Sequence, residues 1–310
     1  MFISSFFLII SGHQFVKFIK INNNFSVTEN GLFGFILLGL VSLTINFILP
    51  LTAKINTIIF FILILSFFMQ NRRQIDRIKK ILITSLFTTL LSLIFISFSD
   101  SYRPDSFLYH FPYTNLINEN KILSGISLVH FRFGHISMMQ YIDAIFYNFI
   151  NGKEGVTLPI SIIFSLFFIF LIEEINKILK EDNYLKFYNF FIILSFIFLC
   201  VRMSRYSDYG NDHPATIFFL YFMAIYIKNF NSYILDIKKY LSLLATFIFT
   251  LKVFYFVPIL LSIFIWLKKI NFKVINLGST TCLIILFFWF LKNILISGCL
   301  IYPASFTCNN

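Results

Sequence analysis

The polar residues best suited to chemistry fall in a few short stretches of an otherwise apolar chain. The first stretch places Asp100 and Asp105 directly after an apolar run, with Tyr109 and His110 about one helical turn beyond Asp105. A partly desolvated carboxylate at such a point can take a proton from a hydroxyl group as a general base. The alternative is that Asp105 caps a helix that begins near Ser106, and the two roles are compatible.

A second stretch sets an arginine between two histidines. Arg132 lies between His130 and His135 in a run that is rich in aromatic residues. Arginine is a natural bidentate partner of phosphate or carboxylate, and histidine can join it as a hydrogen-bonding group. The alternative is that Arg132 pairs with Asp105 or Asp143 while the histidines pack against the membrane face.

The same histidines leave a divalent metal open as a cofactor. His110, His130 and His135 together with an aspartate would supply the ligand types that transition metals prefer. Their spacing in the sequence matches no familiar ligand pattern, so the metal stays unassigned. No phosphate-binding loop or dinucleotide fingerprint is present in the chain, and no other cofactor is predicted.

A third stretch, residues 202–214, combines arginines, aspartates and a histidine immediately before an apolar run. Asp212 in this stretch mirrors Asp105, which follows an earlier apolar run. Two carboxylates at the same membrane boundary can together bind an acceptor hydroxyl or a cation. The alternative is that these side chains are ordinary solvated loop charges.

Lys252 interrupts a long apolar stretch, residues 241–267. A charged side chain within a membrane segment is costly unless it finds a partner or water, so it is a functional candidate by default. If the stretch folds as a hairpin, Lys252 lies near its turn. There it either extends to the interface or contacts a lipid-linked phosphate.

Composition assigns the chain to the integral membrane proteins. It is 58% hydrophobic and 13% charged, whereas soluble domains are about 45–50% apolar and about 25% charged. Long continuous apolar runs also exclude an outer-membrane barrel, whose strands alternate in polarity. The net charge of +11 then indicates basic cytoplasmic loops beside anionic lipid, and we expect no nucleic-acid partner.

The apolar runs predict an all-α, polytopic fold of about ten hydrophobic helices. Single spans are predicted at residues 1–14, 31–49, 55–69, 81–97, 156–172, 188–201, 214–227 and 274–291. Residues 241–267 are interrupted by Lys252 and Pro258, and we predict two short helices there, forming a hairpin or a re-entrant pair.

Lysine and arginine set the expected orientation. Residues 71–80 carry five basic side chains and should be cytoplasmic. Counting spans outward then makes residues 100–154, 202–213 and the C-terminal tail periplasmic. We divide the chain into N-terminal helices (1–98), a long periplasmic loop with the candidate catalytic residues (99–155) and further helices (156–310). Within the loop, residues 136–149 have helical apolar spacing and predict a helix on the membrane surface.

The order of the polar motifs resembles that of a known family. In sequence, the chain carries Asp105-x-x-x-Tyr109-His110-x-Pro112, His130-x-Arg132-x-Gly134, Asp212-x-Pro214, Thr250-x-Lys252 and Ser297-Gly-Cys-Leu-Ile-Tyr-Pro303. This series is similar to that of bacterial multispanning membrane proteins with a glycosyltransferase-C-like fold. The resemblance runs from about residue 100 to residue 303.

The resemblance implies an inverting transferase in the bacterial inner membrane. Such an enzyme moves a hexose or pentose from a polyprenyl-phosphate donor to an envelope glycan or lipid acceptor on the periplasmic face. Asp105 would be the catalytic base, with Asp100 in reserve and Asp212 as a second acid. The substrate-binding residues would be Arg132 and Lys252 on the donor phosphate, with Tyr109, His110 and His130.

Other functions stay open beside this one. A polysaccharide polymerase also acts on lipid-linked glycans at outer loops. A flippase or transporter usually places ionisable groups near the bilayer midplane, whereas most candidates here lie at the boundary. A non-catalytic membrane scaffold is a further alternative, which the clustered outer aspartate, histidine and arginine residues disfavour.

The C-terminal segment carries two further expectations. Cys299 and Cys308 share the predicted outer side and can pair in an oxidising compartment. Family members usually continue well beyond the Tyr302-Pro303 motif, whereas this sequence ends at Asn310. We therefore expect the chain to be a fragment of a longer protein.

Overall fold

A computed structural model of the protein describes residues 1–21, 25–71, 74–98, 105–180, 186–202, 209–230, 234–267 and 277–308. Within these ranges the regular structure is helical, which confirms the predicted all-α class. The α-helices are α1 (Phe2–Phe18), α2 (Val27–Ile45), α3 (Ala53–Asn71), α4 (Ile75–Ser97), α5 (Phe111–Glu119), α6 (Met138–Ile145), α7 (Leu158–Ile178), α8 (Lys186–Val201), α9 (Asp212–Lys228), α10 (Leu235–Leu251), α11 (Val257–Leu267) and α12 (Leu277–Ser297).

Within the described ranges, five helical segments are long and apolar enough to cross a membrane. They are α2, α3, α4, α12 and Lys153–Ile178, which joins a 3₁₀ turn to α7. Only 17% of the apolar window of α3 and 28% of that of α4 are buried, against 72% for Lys153–Ile178. Apolar helix faces left uncovered to this extent suit contact with lipid tails rather than with water. The helices therefore indicate a membrane protein.

Helices α1 and α2 approach each other closely at two glycines, Gly12 and Gly34. A Cβ atom at Gly12 would lie 1.6 Å from the carbonyl oxygen of Asn30, and one at Gly34 would lie 2.1 Å from that of Leu8. Small residues let backbones approach in this way, which is the usual means of packing helices within lipid. Any larger residue at either position would force the two helices apart.

Asparagine side chains close the breaks between helices. Asn56 and Asn118 both donate to the carbonyl oxygens of Leu51 and Ala144, at 2.7–2.9 Å. Carbonyls at helix ends lack partners within their own helix, and an apolar interior supplies none. The two amides therefore tie the segment before α3 to the C-terminal end of α6.

Asn46 joins three parts of the chain in the same way. Its amide donates to the carbonyl oxygens of Ile117 and Asn120 at 3.3 and 3.0 Å. The side-chain oxygen Oδ1 of Asn46 accepts a hydrogen bond from the Lys292 amino group at 2.8 Å. Lys292 is fully buried, and the ring centroids of Phe47 and Tyr141 lie 4.5 Å from its nitrogen. Oxygen atoms and aromatic faces thus contact the Lys292 amino group, and α12 is held to α2 and α5.

The prediction of a surface helix at residues 136–149 was wrong in its placement. The helix there, α6, is shorter, and all eight of its residues are buried. Ser137 caps it in a capping box with Gln140 and also donates to the Leu251 carbonyl at 2.7 Å. Periodicity in the sequence identifies an apolar face, but contacts from distant segments cover the opposite face.

The prediction for residues 241–267 is confirmed in its main feature. The stretch breaks at Lys252, whose backbone is extended, into α10 and α11, and these two helices pack together. Near the other end of the pair, the Trp266 indole donates to the Ser242 hydroxyl at 2.8 Å. The first helix starts earlier than predicted, at Leu235.

The Asn46–Lys292 contact predicts a strong coupling between two residues far apart in sequence. Asn46→Ala removes an acceptor from a buried amino group, which should cost about 1–3 kcal/mol of folding free energy. Lys292→Met removes the amino group while roughly keeping the volume and should cost less. In the double variant the two losses should not add, with a coupling of about 0.5–3 kcal/mol. Unfolding of all four proteins in one detergent measures this. Strict additivity would contradict the contact.

Candidate functional site

A cavity of about 490 Å³ opens at the end of the bundle where α10 and α12 end and α9 begins. We call it the polar cavity. Of the eight residues to which the resemblance gives a catalytic or substrate-binding role, six line it: Asp105, Tyr109, His110, Arg132, Asp212 and Lys252. Four different segments supply these residues, so the fold brings together what the sequence spreads over nearly 150 positions.

The remaining two selected residues are placed differently. Asp100 lies outside the described residues. His130 does not line the polar cavity. Its Nδ1 accepts from the backbone N–H of Arg132 at 3.2 Å and caps the short 3₁₀ turn Phe131–Gly134. His130 therefore shapes the turn that carries Arg132.

Asp105 presents an exposed carboxylate whose local partner is the Tyr109 hydroxyl, an uncharged group. It precedes the π-helical turn Ser106–His110 that leads into α5, and its side chain makes no capping hydrogen bond. The capping alternative is therefore not realised. The side chain is exposed, and it makes no ion pair with any described basic group. A carboxylate in this state can accept a proton or a hydrogen bond from a ligand.

Arg132 is likewise unpaired within the described part of the chain. Its guanidinium carbon lies 5.0 Å from the ring centroid of Tyr109 and 5.2 Å from that of Phe131. The ion pair with Asp105 or Asp143 that the sequence left open does not form. Aromatic faces hold the guanidinium by cation–π contact and leave its N–H donors available.

Asp212 and Lys252 form an ion pair across the cavity wall. The Lys252 ammonium nitrogen lies 2.5 Å from a carboxylate oxygen of Asp212, and the side chains are 32% and 72% exposed. Asp212 opens α9 and Lys252 follows α10, so the contact fixes the turn of the α10–α11 pair. Exposed pairs of this kind contribute about 0–1 kcal/mol, so a ligand of higher charge can displace either partner.

His110 is a neutral imidazole at the inner side of the cavity. It is 7% exposed, and its Nδ1 has no partner among the described atoms. Burial lowers the pKa of His110 to about 4, although the nearby Asp105 and Asp212 carboxylates oppose the shift. Burial also raises the pKa of Tyr109, and the Asp105 carboxylate adds to that effect. Both side chains therefore offer uncharged hydrogen-bonding groups at neutral pH.

Tyr209 is a residue that the sequence analysis missed. Its ring stacks on Phe111 at 4.1 Å between centroids. Its backbone carbonyl accepts from the Ser106 hydroxyl at 3.0 Å, and its own hydroxyl lies 2.8 Å from that of Thr114. These contacts join the first polar stretch to the third. The loop around Tyr209 attracted notice for its charges, whereas its structural link is an aromatic ring.

Asp143 on α6 is a buried neighbour of Tyr209. The carboxyl is 2% exposed, and burial raises its pKa well above the usual range, opposed by a hydrogen bond with Tyr209. Burial likewise raises the pKa of Tyr209. A carboxyl group of this kind stays protonated more readily than an exposed one and can act as a neutral hydrogen-bonding group.

The last part of the chain closes one side of the cavity. Tyr302 lies with its ring centroid 5.1 Å from that of His135, and both residues line the polar cavity. Cys299 and Cys308, whose pairing the sequence left open, are joined by a disulfide. This bridge encloses the turn that carries Tyr302 and Pro303.

A metal site does not emerge from the described residues. No group of three or more histidine, cysteine, aspartate or glutamate side chains comes close enough there to hold an ion. His110 and His135 line the polar cavity while His130 lies outside it, so the three histidines do not converge.

Comparison with known proteins identifies the family. The family described as "Domain of unknown function (DUF8201)" matches residues 1–310. The chain therefore belongs to this family. No curated protein and no solved structure matches it.

The burial of His110 predicts a loss of stability in mild acid. Its pKa is about 4 in the folded protein against 6.5 for an ordinary histidine, so the unfolded chain takes up the proton first as the pH falls. The contribution of neutral His110 to the free energy of unfolding is therefore complete above about pH 6.5 and is lost as the pH falls towards 4. The difference corresponds to about 3 kcal/mol.

Unfolding in detergent between pH 7.5 and 4 checks this expectation. His110→Asn should remove that part of the pH dependence, because asparagine does not titrate. His130→Asn lies outside the cavity and is the matched control, which should keep the wild-type slope. An unchanged slope in His110→Asn would show that the imidazole is not held neutral by the fold.

Proposed function

We propose that this member of the DUF8201 family is a membrane glycosyltransferase. It moves a sugar from a polyprenyl-phosphate donor to a hydroxyl group of an envelope glycan or lipid. The observation that carries the proposal is that two charged side chains of the polar cavity form no ion pair with a described residue. Asp105 and Arg132 face the same cavity of about 490 Å³, and neither is neutralised by a described side chain. A free carboxylate and a free guanidinium are the two groups that this transfer needs.

Asp105 acts as the general base. Its carboxylate takes the proton of the acceptor hydroxyl while the acceptor oxygen forms a bond to the anomeric carbon of the sugar. The bond between that carbon and the phosphate oxygen breaks on the opposite face. The electron pair leaves with the polyprenyl phosphate, and the configuration at the anomeric carbon inverts.

Arg132 and Lys252 bind the donor phosphate. The guanidinium offers a planar set of donors that fits phosphate oxygens, and the ammonium adds a second positive charge. Lys252 is paired with Asp212 through an exposed contact, which a phosphate can replace at small cost. Positive groups aimed at the leaving oxygen stabilise the charge that develops there. Asp212 is then a positioning residue for Lys252.

The surroundings of Lys252 suit a lipid-linked donor. Phe254 and Phe256 follow it in the turn between α10 and α11, and they are 78% and 52% exposed. Aromatic side chains left open beside a cation match a ligand with a charged head and an apolar tail. His110 and Tyr109, both uncharged, supply hydrogen bonds to sugar hydroxyls. By the charge bias of the sequence, the cavity faces the periplasm from the bacterial inner membrane.

A transporter of lipid-linked glycans is the second candidate, and Lys292 is the observation that favours it. This lysine is fully buried within the candidate span α12. Ionisable groups at such positions mark transport pathways in many membrane proteins. Lys292 does not line the polar cavity, and its contacts with Asn46 and two rings account for its burial, so we rank transport second.

The proposal predicts that Asp105→Asn abolishes sugar transfer. Loss of a general base typically lowers the rate about 10²–10⁴-fold. Membranes that contain the protein are supplied with a panel of radiolabelled polyprenyl-phosphate sugars, and label in lipid and glycan products is counted. Glu119→Gln is the matched control, since Glu119 is exposed at the end of α5 and lies outside the cavity.

Glu119→Gln should transfer label at the wild-type rate. Transfer by Asp105→Asn at the wild-type rate would contradict the assignment of the base. Movement of intact labelled donor across the membrane, without transfer by any variant, would favour the transporter.

A second prediction separates the roles of Asp212 and Lys252. Lys252→Gln should lower kcat/KM for the donor about 10²-fold, because the positive charge that contacts the donor phosphate is lost. Asp212→Asn should lower it less, because the lysine remains and only its positioning suffers. Transfer rates measured over a range of donor concentrations give kcat/KM for Lys252→Gln, Asp212→Asn and Asp105→Asn and so rank the three losses. A loss in Asp212→Asn as large as that in Asp105→Asn would instead make Asp212 the base.

A further inference from the structure

A second large cavity lies at the opposite end of the helices from the polar cavity. It measures about 480 Å³ and is bounded by the C-terminal part of α1 and by the first turns of α2 and α4. We call it the basic cavity. The ionisable residues that line it are His13, Lys17, Asp76, Arg77 and Lys80. The proposed glycosyl transfer uses none of them.

The positive charges of the basic cavity are not balanced by the described residues. Lys17, Arg77 and Lys80 make no ion pair with any described carboxylate, and Asp76 is the single acid in the lining. Like charges that surround one cavity repel each other, and an anion between them removes that repulsion.

Arg77 still has donors to give. One of its terminal nitrogens lies 2.7 Å from the Gln74 side-chain oxygen and 3.3 Å from His13 Nε2. A guanidinium carries five N–H groups, so the others stay available. The side chain is therefore oriented by neutral neighbours without losing its charge.

Two further acids, Glu29 and Glu173, adjoin the lining and are engaged elsewhere, Glu173 by accepting from the Thr28 hydroxyl at 3.0 Å. Glu29 accepts from the backbone N–H of Ser26 at 2.8 Å and from the Tyr221 hydroxyl at 3.0 Å. Ser26 and Glu29 form a capping box at the start of α2. The carboxylate is thus held by the helix start and by α9, and it is not part of the cavity lining.

The position of the basic cavity matches the depth of lipid phosphates. It lies at the ends of two candidate spans, α2 and α4. The ends of membrane-spanning helices coincide with the headgroup layer, and basic pockets between helices at that depth suit anionic headgroups.

We propose that the basic cavity is a binding site for a phosphate-bearing anion, with Lys17, Arg77 and Lys80 as its ligands. The phosphate is carried by an anionic lipid headgroup or by a free compound, and the chemistry of recognition is the same. The site is separate from the polar cavity, and it does not depend on the proposed transfer reaction.

Native mass spectrometry of the full chain in neutral detergent tests this. The added probes are dioleoyl phosphatidylglycerol, which is anionic, and dioleoyl phosphatidylcholine, which has no net charge. We expect preferential retention of phosphatidylglycerol. Arg77→Gln with Lys80→Gln should weaken it about 25-fold, at about fivefold for each basic side chain, the ratio that corresponds to about 1 kcal/mol.

The matched control removes two charges from the same end of the helices without touching the lining. Lys79 and Lys180 are exposed and lie outside the basic cavity, so Lys79→Gln with Lys180→Gln should bind as the wild type does. Equal loss in both double variants would overturn the site, because it would reduce the effect to general surface charge. Wild-type binding by Arg77→Gln with Lys80→Gln would overturn it as well.

A gain-of-binding variant guards against misfolding as an explanation. Asp76→Asn removes the single acid of the lining and should tighten phosphatidylglycerol binding about fivefold. Unchanged or weaker binding in this variant would also count against the site. Inorganic phosphate distinguishes the two sources: competition with the lipid at millimolar concentration indicates recognition of the phosphate alone, and its absence assigns the site to the lipid form.

Discussion

The apolar surroundings of this protein supply no hydrogen bonds, so every break between helices has to be closed by the chain itself. Asn46, Asn56 and Asn118 do this for the segments around α5 and α6, by donating to the carbonyl groups of Ile117, Leu51 and Ala144. Beyond them, Ser106 and Thr114 hydrogen-bond to Tyr209, which precedes α9. These contacts bring Tyr209 to the wall of the polar cavity.

The cavity itself is held by a few contacts between distant segments. Tyr209 stacks on Phe111 and shares its hydroxyl with Thr114 and Asp143, while Asp212 pairs with Lys252 at the α10–α11 break. These contacts position the wall and leave Asp105 and Arg132 unpaired. The Tyr209 contacts can stay intact when a charged ligand binds, and the weak, exposed Asp212–Lys252 pair is the one contact of the wall that a phosphate would replace.

The sequence was a good guide to local structure and a poor one to contacts. Lys252 and Pro258 predicted the break between α10 and α11, because a charge and a proline disfavour a continuous apolar helix. The burial of α6 could not be predicted, since periodicity says nothing about which distant segments cover its other face. Lys292 escaped notice because the predicted span ended at residue 291, one residue before it. The Asp212–Lys252 pair joins residues 40 positions apart, and no local pattern encodes it.

The central claim is that the polar cavity receives the phosphate of a lipid-linked sugar. Photo-crosslinking tests it most directly, with a polyprenyl phosphate that carries a photoactivatable group close to the phosphate and the protein in lipid nanodiscs. The account predicts adducts on residues of the cavity wall, near Arg132 and in the turn from Lys252 to Phe254. These adducts should be lost with unlabelled competitor and in Arg132→Gln. Adducts confined to the outer faces of α3 and α4, or unchanged in Arg132→Gln, would contradict the account.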